Sequence, residues 1–143
     1  MRLFALVREL ARAKQRRGCN MSIDNLQLIN WDDIPLETVN SSMRRRIVTG
    51  ELMTVARIYF EDGFVVPMHS HHNEQVTQVL KGTMRFVFGD DRAKSVDIGP
   101  GGVVVIPAHV PHEATCMGDV EEMDMWAPRR DDWLDGSDDY LRS

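Results

Sequence analysis

Three histidines and a glutamine have the types and the spacing of metal ligands in this sequence. Residues 69–75 read HSHHNEQ, which places His69, His71 and Gln75 within seven positions, and His112 follows about forty residues later. Imidazole binds Fe, Ni, Cu and Zn, and an amide oxygen suits the harder divalent metals. The four residues therefore predict a site for one divalent first-row transition metal, with Ni, Fe, Mn, Zn and Co as candidates. Three or four protein ligands leave coordination positions open for a substrate, as catalysis requires.

The neighbouring histidines are expected to lie outside this set. Alternate residues of a strand face the same side, so His69 and His71 can point into a barrel while His72 points outward. His109 stands between Pro107 and Pro111, which predicts a turn at the mouth of the barrel. We expect His72 and His109 to be surface residues.

A glutamine ligand, unlike a glutamate, does not reduce the charge of the bound metal ion. Three imidazoles and one amide are all neutral, so the full double positive charge stays on the bound ion. Such an ion favours an anionic chelating substrate and stabilises a developing enolate or alkoxide.

Short β-type runs bounded by turn residues must position these side chains. No alternation of strands and helices occurs, so a parallel sheet is excluded and an all-β sandwich or barrel is predicted. Gly and Asp at the ends of the runs supply the backbone angles of tight turns, Lys81-Gly82 among them. The predicted strands are Ile47-Val48, Leu52–Phe60, Gln75–Leu80, Met84–Phe88, Lys94–Ile98, Val103–Ile106 and Val120–Trp126.

The spacing resembles the two signatures of the cupin superfamily, whose fold is a small double-stranded β-helix or jelly-roll barrel. The usual pattern has Glu where this chain has Gln75, and the count selects Gln75 over Glu74 as the ligand. His109 and Cys116 depart from the second signature. The resemblance implies an all-β single-domain cupin. The matching residues are Gly63, His69, His71, Gln75 and Gly82 in the first signature, and Gly101, Pro107 and His112 in the second.

Within the cupins, residues 44–134 resemble the small single-domain cupins of pectin and alginate breakdown. That family ketonises 4,5-unsaturated uronates to linear 4-deoxy-5-keto uronates. The resemblance rests mainly on the closing strand DMWAPRR of residues 124–130. It implies that Asp124 is the acid/base, Trp126 a sugar-stacking wall and Arg130 the anchor of the substrate carboxylate. Trp126 replaces an expected phenylalanine, and His72 replaces an expected proline.

Each role of the closing strand has a structural alternative. Asp124 could accept a turn hydrogen bond, Trp126 could belong to the core, and Arg130 could pair with Asp131 or Asp132 on the surface. Two other functions also stay open, a cupin-type Fe(II) dioxygenase and a non-catalytic module that binds or senses a small molecule through its metal.

Charge and cysteine content limit the partners and the compartment. Residues 21–143 have 11 basic and 21 acidic residues, and such a body repels nucleic acid and anionic membranes. A small anionic sugar is the expected partner, and the family resemblance implies a homodimer. Cys19 and Cys116 form neither a metal-binding spacing nor a disulfide framework, which predicts a reduced, cytoplasmic protein.

The sequence predicts three regions. Residues 1–20 are a basic extension in which Leu3, Leu6, Val7 and Leu10 have the spacing of a short amphipathic helix, and whether this extension has a role in function stays open. Residues 21–134 are the barrel, and residues 135–143 are an acidic tail. The Asp-rich stretch from residue 131 onward is expected to be solvated, with Trp133 and Leu134 as a docking point.

Overall fold

The computed structural model describes residues 23–142. Residues 23–30 belong to a separate unit and contain one 3-10 turn, Ile23–Asn25. The helix predicted within residues 1–20 lies outside the described residues. No helix among residues 23–142 has the length and apolar character needed to cross a membrane.

Eight antiparallel strands make up the unit that begins at Trp31. A 3-10 turn, Trp31–Asp33, precedes the strands; helix α1 (Asp131–Asp135) and another 3-10 turn (Asp139–Leu141) follow them. The strands are β1 (Glu37–Asn40), β2 (Met43–Thr49), β3 (Thr54–Phe60), β4 (Val65–His69), β5 (Glu74–Phe88), β6 (Lys94–Ile98), β7 (Val103–Ile106) and β8 (His112–Ala127).

Two long strands, β5 and β8, run through both halves of the sheet. The first half of β5 pairs with β7 and with the second half of β8, which also pairs with β3. The second half of β5 pairs with β6 and with the first half of β8, which also pairs with β4. The half-sheets therefore have the orders β1-β2-β3-β8-β5-β7 and β4-β8-β5-β6. This arrangement confirms the predicted all-β jelly roll.

The core is formed by alternate residues of these strands. On β3, Ala56, Ile58 and Phe60 are buried, whereas the residues between them are half-buried. The period of two follows from strand geometry, which sends successive side chains to opposite faces. Burial of each large apolar side chain contributes about 1.5–3 kcal/mol to stability.

The turn predicted at Lys81-Gly82 is wrong, because both residues lie inside β5. The register against β8 shifts on each side of Lys81, so the two residues form an irregularity within one strand. Gly82 has a φ of 78°, and a Cβ at this position would collide with the backbone carbonyl of Asp119. The glycine therefore permits a close approach of two strands, where the sequence pattern indicated a chain reversal.

The solvated tail expected from residue 131 onward is also wrong. Trp133, Asp138 and Leu141 are buried, with exposed fractions of 6%, 0% and 3%. The Asp138 carboxylate lies 2.7 Å from Nη1 of the fully buried Arg45 on β2. The many aspartates suggested that this segment is exposed to solvent. Several of them instead form ion pairs with arginines of the same unit.

Candidate metal centre

Three elements bring the predicted histidines together. His69 is the last residue of β4 and His112 the first of β8, and the two are opposite each other in the β4–β8 pairing. His71 follows β4 in an irregular turn and not on the strand, yet its ring also joins the cluster. The ligand nitrogens of the three side chains all lie within 4.8 Å of one another.

Backbone carbonyls fix the tautomer of each imidazole. The Nδ1 atoms of His69, His71 and His112 lie 2.7 Å, 2.9 Å and 2.8 Å from the carbonyl oxygens of residues 67, 73 and 110. A carbonyl oxygen only accepts, so each Nδ1 carries the proton and each Nε2 presents a lone pair. This is the arrangement that orients histidine ligands in metal sites.

An orphaned nitrogen shows that the cluster fits a cation. Nε2 of His112 is buried and has no hydrogen-bond partner among the described residues. A buried polar atom without a partner costs free energy, which a cation among the three lone pairs would recover. The residues His69, His71 and His112 could therefore hold one divalent metal.

The histidines are also in the protonation state that a metal requires. Burial, together with the neighbouring His112, lowers the pKa of His69 to about 3. Burial and the nearby Arg130 lower the pKa of His71 to about 4, and burial lowers the pKa of His112 as well. All three are thus neutral at pH 7, so no proton must be displaced before a metal binds.

Gln75 connects the cluster to the interior of the barrel. Its Oε1 lies 3.0 Å from Nε2 of His71 and accepts a hydrogen bond of 2.8 Å from Nε1 of Trp126. Its Nε2 donates to Thr77 Oγ1 at 2.9 Å and to Asp124 Oδ1 at 3.4 Å. The amide is therefore oriented with its oxygen towards the histidines. Its role as a fourth ligand stays a prediction.

Asp124 lies beyond Gln75 beside a second buried carboxyl group that the sequence motifs did not reveal. Thr77 donates a hydrogen bond to Asp124, and Glu122, two residues earlier on β8, faces the same interior. Burial raises the pKa of Asp124 to about 6. Burial and the adjacent Asp124 raise the pKa of Glu122 well above its ordinary value. The shared strand parity of the two acids was the available signal for Glu122.

Trp126 and Arg130 are both nearly inaccessible to solvent. Trp126 is 2% exposed and packs on Trp133 with ring centroids 4.5 Å apart. Arg130 is 3% exposed and binds Asp132 through Nε at 2.8 Å and Nη2 at 2.6 Å. The structural alternatives for Trp126 and Arg130, a place in the core and an Asp132 partner, therefore have geometric support, although Arg130 itself is buried and its partner Asp132 is 35% exposed. The roles in substrate binding stay predictions.

The exposed neighbours have no side chain in the cluster, as expected. His72, Glu74 and His109 are all exposed. His109 nevertheless supports the site, because its backbone N–H donates to the carbonyl of His71 at 2.7 Å. Asn73, which the motifs did not indicate, is buried and donates from Nδ2 to the carbonyl of Arg129 at 3.2 Å. These contacts fix the turn that presents His71.

One cavity adjoins His69, His112 and both carboxyl groups. Three C-terminal residues, Trp133, Tyr140 and Leu141, contribute to its wall. The Tyr140 ring lies over His69 with centroids 4.7 Å apart. Sequence reasoning missed this contribution because it assigned the segment to a solvated tail. Other residues of the wall include His69, Gln75, His112, Glu122, Asp124, Trp126 and Arg130.

The family comparison agrees with this geometry. Residues 56–126, which include every predicted site residue except Arg130, match the cupin domain model. The chain contains a cupin domain. The three histidines of this cupin, His69, His71 and His112, could bind one divalent metal.

Solved cupin structures resemble this one over most of its length. KdgF from Halomonas sp. is 26% identical with a TM-score of 0.65, covering 71% of this chain and 94% of that one. An RmlC-like cupin from Shewanella frigidimarina is 20% identical with a TM-score of 0.69, covering 76% and 96%. A variant of Bacillus subtilis oxalate decarboxylase is 17% identical with a TM-score of 0.62, covering 70% of this chain but 29% of that one. The last two show the fold alone. Among curated proteins, none matches this cupin significantly.

Proposed function

We propose that this cupin is a metal-dependent enzyme that ketonises 4,5-unsaturated uronates to linear 4-deoxy-5-keto uronates. One observation carries the proposal: Gln75 links the histidine cluster to a buried acid. Its oxygen lies 3.0 Å from Nε2 of His71, and its amide nitrogen lies 3.4 Å from the Asp124 carboxylate. A substrate bound at the histidines would therefore have a proton carrier close to it.

The reaction consists of two proton movements. The anomeric hydroxyl loses a proton as the bond between carbon 1 and the ring oxygen breaks, which gives an aldehyde and an enol. The enol oxygen then loses its proton, carbon 4 gains one, and a ketone forms at carbon 5. A group that both accepts and donates protons near neutral pH suits each movement.

Asp124 has the properties of such a group. Its raised pKa, about 6, lies close to neutrality, so both protonation states are accessible. General acid/base assistance of this kind contributes about 10²–10⁴ in rate. Glu122 lies on the same strand face, and burial together with the adjacent Asp124 raises its pKa well above its ordinary value.

The remaining residues would hold and orient the reactants. His69, His71, His112 and Gln75 would hold a divalent metal, which as a Lewis acid stabilises negative charge that develops on a substrate oxygen. Arg130 places a buried positive charge at the same cavity. A cationic group and neutral ligands together favour an anionic substrate over a neutral one.

The comparison with solved structures supports the same proposal. KdgF is 26% identical, and 94% of its length is covered, so the whole small domain is shared. This agrees with the sequence resemblance to uronate-ketonising cupins on the closing strand. The homodimer implied by that resemblance stays a prediction.

The proposal is tested by the loss of enol-ether absorbance. Metal-loaded protein is incubated with monomeric unsaturated galacturonate, and the rate is compared with the spontaneous reaction. We expect clear acceleration by the wild type and a loss of at least about 100-fold in Asp124→Asn. The matched control is Asp97→Asn, an exposed aspartate paired with Arg85, which is expected to keep the wild-type rate. No acceleration by the wild type would overturn the proposal.

The Asp124→Asn variant is expected to fold. Because the folded-state pKa of Asp124 is raised, its contribution to folding stability is present below its ordinary pKa and is lost as pH rises through about 6. A neutral replacement avoids that loss at pH 7. A low rate in this variant can therefore be assigned to the missing acid.

The two other functional classes give different results in the same assays. A cupin dioxygenase with iron bound by three histidines would consume oxygen, so oxygen uptake is recorded with iron-loaded protein and a diketone or phenolic substrate. A binding or sensing module would keep both ligand affinity and biological activity in Asp124→Asn. Either result would replace the proposed reaction.

A further inference from the structure

Tyr140 lies beside the histidine cluster but has no part in the reaction proposed above. Its ring stacks on His69 at 4.7 Å with an interplanar angle of 29°. It belongs to the 3-10 turn Asp139–Leu141 and lines the same cavity as His69, His112 and Arg130. The side chain is half-buried, so one part of it packs while another stays accessible.

The hydroxyl of Tyr140 meets the guanidinium that faces this cavity. Nη2 of Arg130 donates a hydrogen bond to it at 3.0 Å. The hydroxyl oxygen therefore acts as an acceptor in this contact, and its own proton can be donated to another group. Among residues 23–142, no protein acceptor for that proton is found. A ligand in the cavity would supply one.

Arg130 itself is held so that part of its donor capacity is left over. Nε and Nη2 bind Asp132, and Nη2 also binds Tyr140, whereas none of these contacts uses Nη1. The guanidinium plane is further confined by the rings of Trp126 and Trp133, at 5.4 Å and 5.1 Å. An arginine fixed in this way presents its remaining donor in one direction.

Ion pairs and a hydrogen bond hold the Tyr140 segment in place. Asn40 Nδ2 donates to the carbonyl of Leu141 at 2.7 Å, and Arg142 Nε donates to Asp138 at 2.7 Å. Asp138 also lies 2.7 Å from Arg45 Nη1, with both side chains fully buried. Tyr140 is thus attached to the β1–β2 hairpin, and its position over His69 is fixed by the fold.

We propose that Tyr140 is a substrate-contacting residue which, together with Arg130, binds the carboxylate of an anionic sugar. The substrate class rests on the function proposed above. One carboxylate oxygen receives the phenolic O–H, and the guanidinium donates to the other. The ring of Tyr140 also covers His69, so it limits the side from which a sugar reaches the histidines.

The contacts of Tyr140 and Arg130 are expected to favour a sugar with a carboxylate over a neutral sugar. A carboxylate accepts charge-assisted hydrogen bonds, which are about twice as strong as neutral ones. A neutral sugar of the same shape lacks that acceptor, so Nη1 of Arg130 and the Tyr140 hydroxyl gain no charge-assisted hydrogen bond from it. Tyr140 is therefore expected to contribute to the preference for uronates over neutral hexoses.

The test compares Tyr140→Phe with a matched variant, Tyr59→Phe. Phenylalanine keeps the ring over His69 and removes only the hydroxyl. Tyr59 lies on β3 opposite Arg44 and Glu121, outside the cavity wall, and provides the same chemical change elsewhere. Binding of D-galacturonate and D-galactose to the metal-loaded proteins is measured by calorimetry, with elemental analysis of bound metal.

Tyr140→Phe is expected to bind galacturonate about tenfold more weakly with unchanged metal content, since a hydrogen bond to a charged group is lost. Tyr59→Phe is expected to match the wild type, and galactose is expected to bind weakly and equally to all three proteins. Where turnover is measured, Tyr140→Phe should raise KM with little change in kcat.

Different results would refute the carboxylate contact of Tyr140 and the proposed ketonisation reaction. Tyr140-dependent binding of galacturonate without catalysed loss of the enol ether would support the inference and refute the reaction. Equal galacturonate affinities in wild type and Tyr140→Phe, or no galacturonate binding by the wild type, would overturn the inference. Equal weakening of galactose binding would also overturn it, because the hydroxyl would then not recognise the carboxylate.

Discussion

At the scale of single residues, the histidine cluster is oriented before any metal arrives. Each Nδ1 is occupied by a backbone carbonyl within two residues of its own histidine, so the tautomer is set locally. The lone pairs then meet because β4 and β8 lie side by side. A site organised in this way binds its ion with little rearrangement.

The two adjacent histidines of HSHHNEQ allow a matched test of this assignment. His71→Ala removes one of three converging nitrogens and is expected to weaken binding of Ni²⁺ by more than about tenfold. His72→Ala changes the next residue, which is exposed, and is expected to keep the wild-type affinity. Competition with a chelator and elemental analysis measure both. Equal metal retention in the two variants would contradict the assignment of His71.

The sequence alone identified those site residues whose type and spacing are typical of metal ligands. His69, His71 and His112 could be found because metal ligands are of a few residue types at recognisable spacings, although His71 lies in a turn after β4 and not on the strand face that the sequence predicted for it. Glu122 and Tyr140 could not, because their places in the cavity depend on contacts between distant segments. Asn73 is a similar case, since its partner is the backbone that follows β8.

At the scale of strands, the sequence predicted the β runs better than their connections. Gln75–Leu80 and Met84–Phe88 are both strand, as predicted, but they belong to the single strand β5. A glycine after a lysine suggested a turn, whereas here it permits a bend against β8. A pattern of residue types describes the local backbone angle, and the same positive φ serves a turn or an irregular strand.

Two glycines with the same φ allow the effect of backbone conformation to be distinguished from the effect of a close approach between strands. Gly63 and Gly82 both have a φ of 78°, but a Cβ at Gly63 would meet open space while one at Gly82 would collide with the Asp119 carbonyl. Gly63→Ala is expected to cost about 1–2 kcal/mol through backbone conformation alone. Gly82→Ala is expected to cost at least about 2 kcal/mol more, as overpacking does. Urea unfolding measures both, and equal midpoints would contradict the close approach.

At the scale of the whole molecule, the acidic composition does not reveal the charged side chains that are buried in the interior. Residues 21–143 have an excess of acidic residues, yet Arg45 and Arg130 are buried, and each pairs with an aspartate, Asp138 and Asp132. Net charge therefore said nothing of the ion pairs in the interior. The C-terminal segment was misjudged for the same reason.

The pH dependence of metal binding follows from the histidine environment. With pKa values of about 3 and about 4, His69 and His71 stay neutral in the folded protein at pH 5.5. We expect the affinity for Ni²⁺ to fall by less than about tenfold between pH 7.5 and 5.5, whereas three histidines of ordinary pKa would lose about 1000-fold. Calorimetry at both pH values measures the affinity.

The number of protons released when Ni²⁺ binds provides a control for the predicted pH dependence of the affinity. In buffers of different ionisation enthalpy, metal binding at pH 5.5 should release fewer than about one proton. By linkage, the contribution of these histidines to folding stability is present above about pH 6.5 and is lost as pH falls towards 4 and 3. Release of two or three protons would contradict the lowered pKa values.

The attachment of Tyr140 over His69 also affects how the protein is handled in the laboratory. The 3-10 turn that carries Tyr140 ends at Leu141, so a sequence fused after residue 143 follows within a few residues of the ring that stacks on His69. A polyhistidine affinity handle at that end would offer competing imidazoles to the same ion. Metal stoichiometry and purification yield are therefore expected to depend on which end of the polypeptide bears the handle.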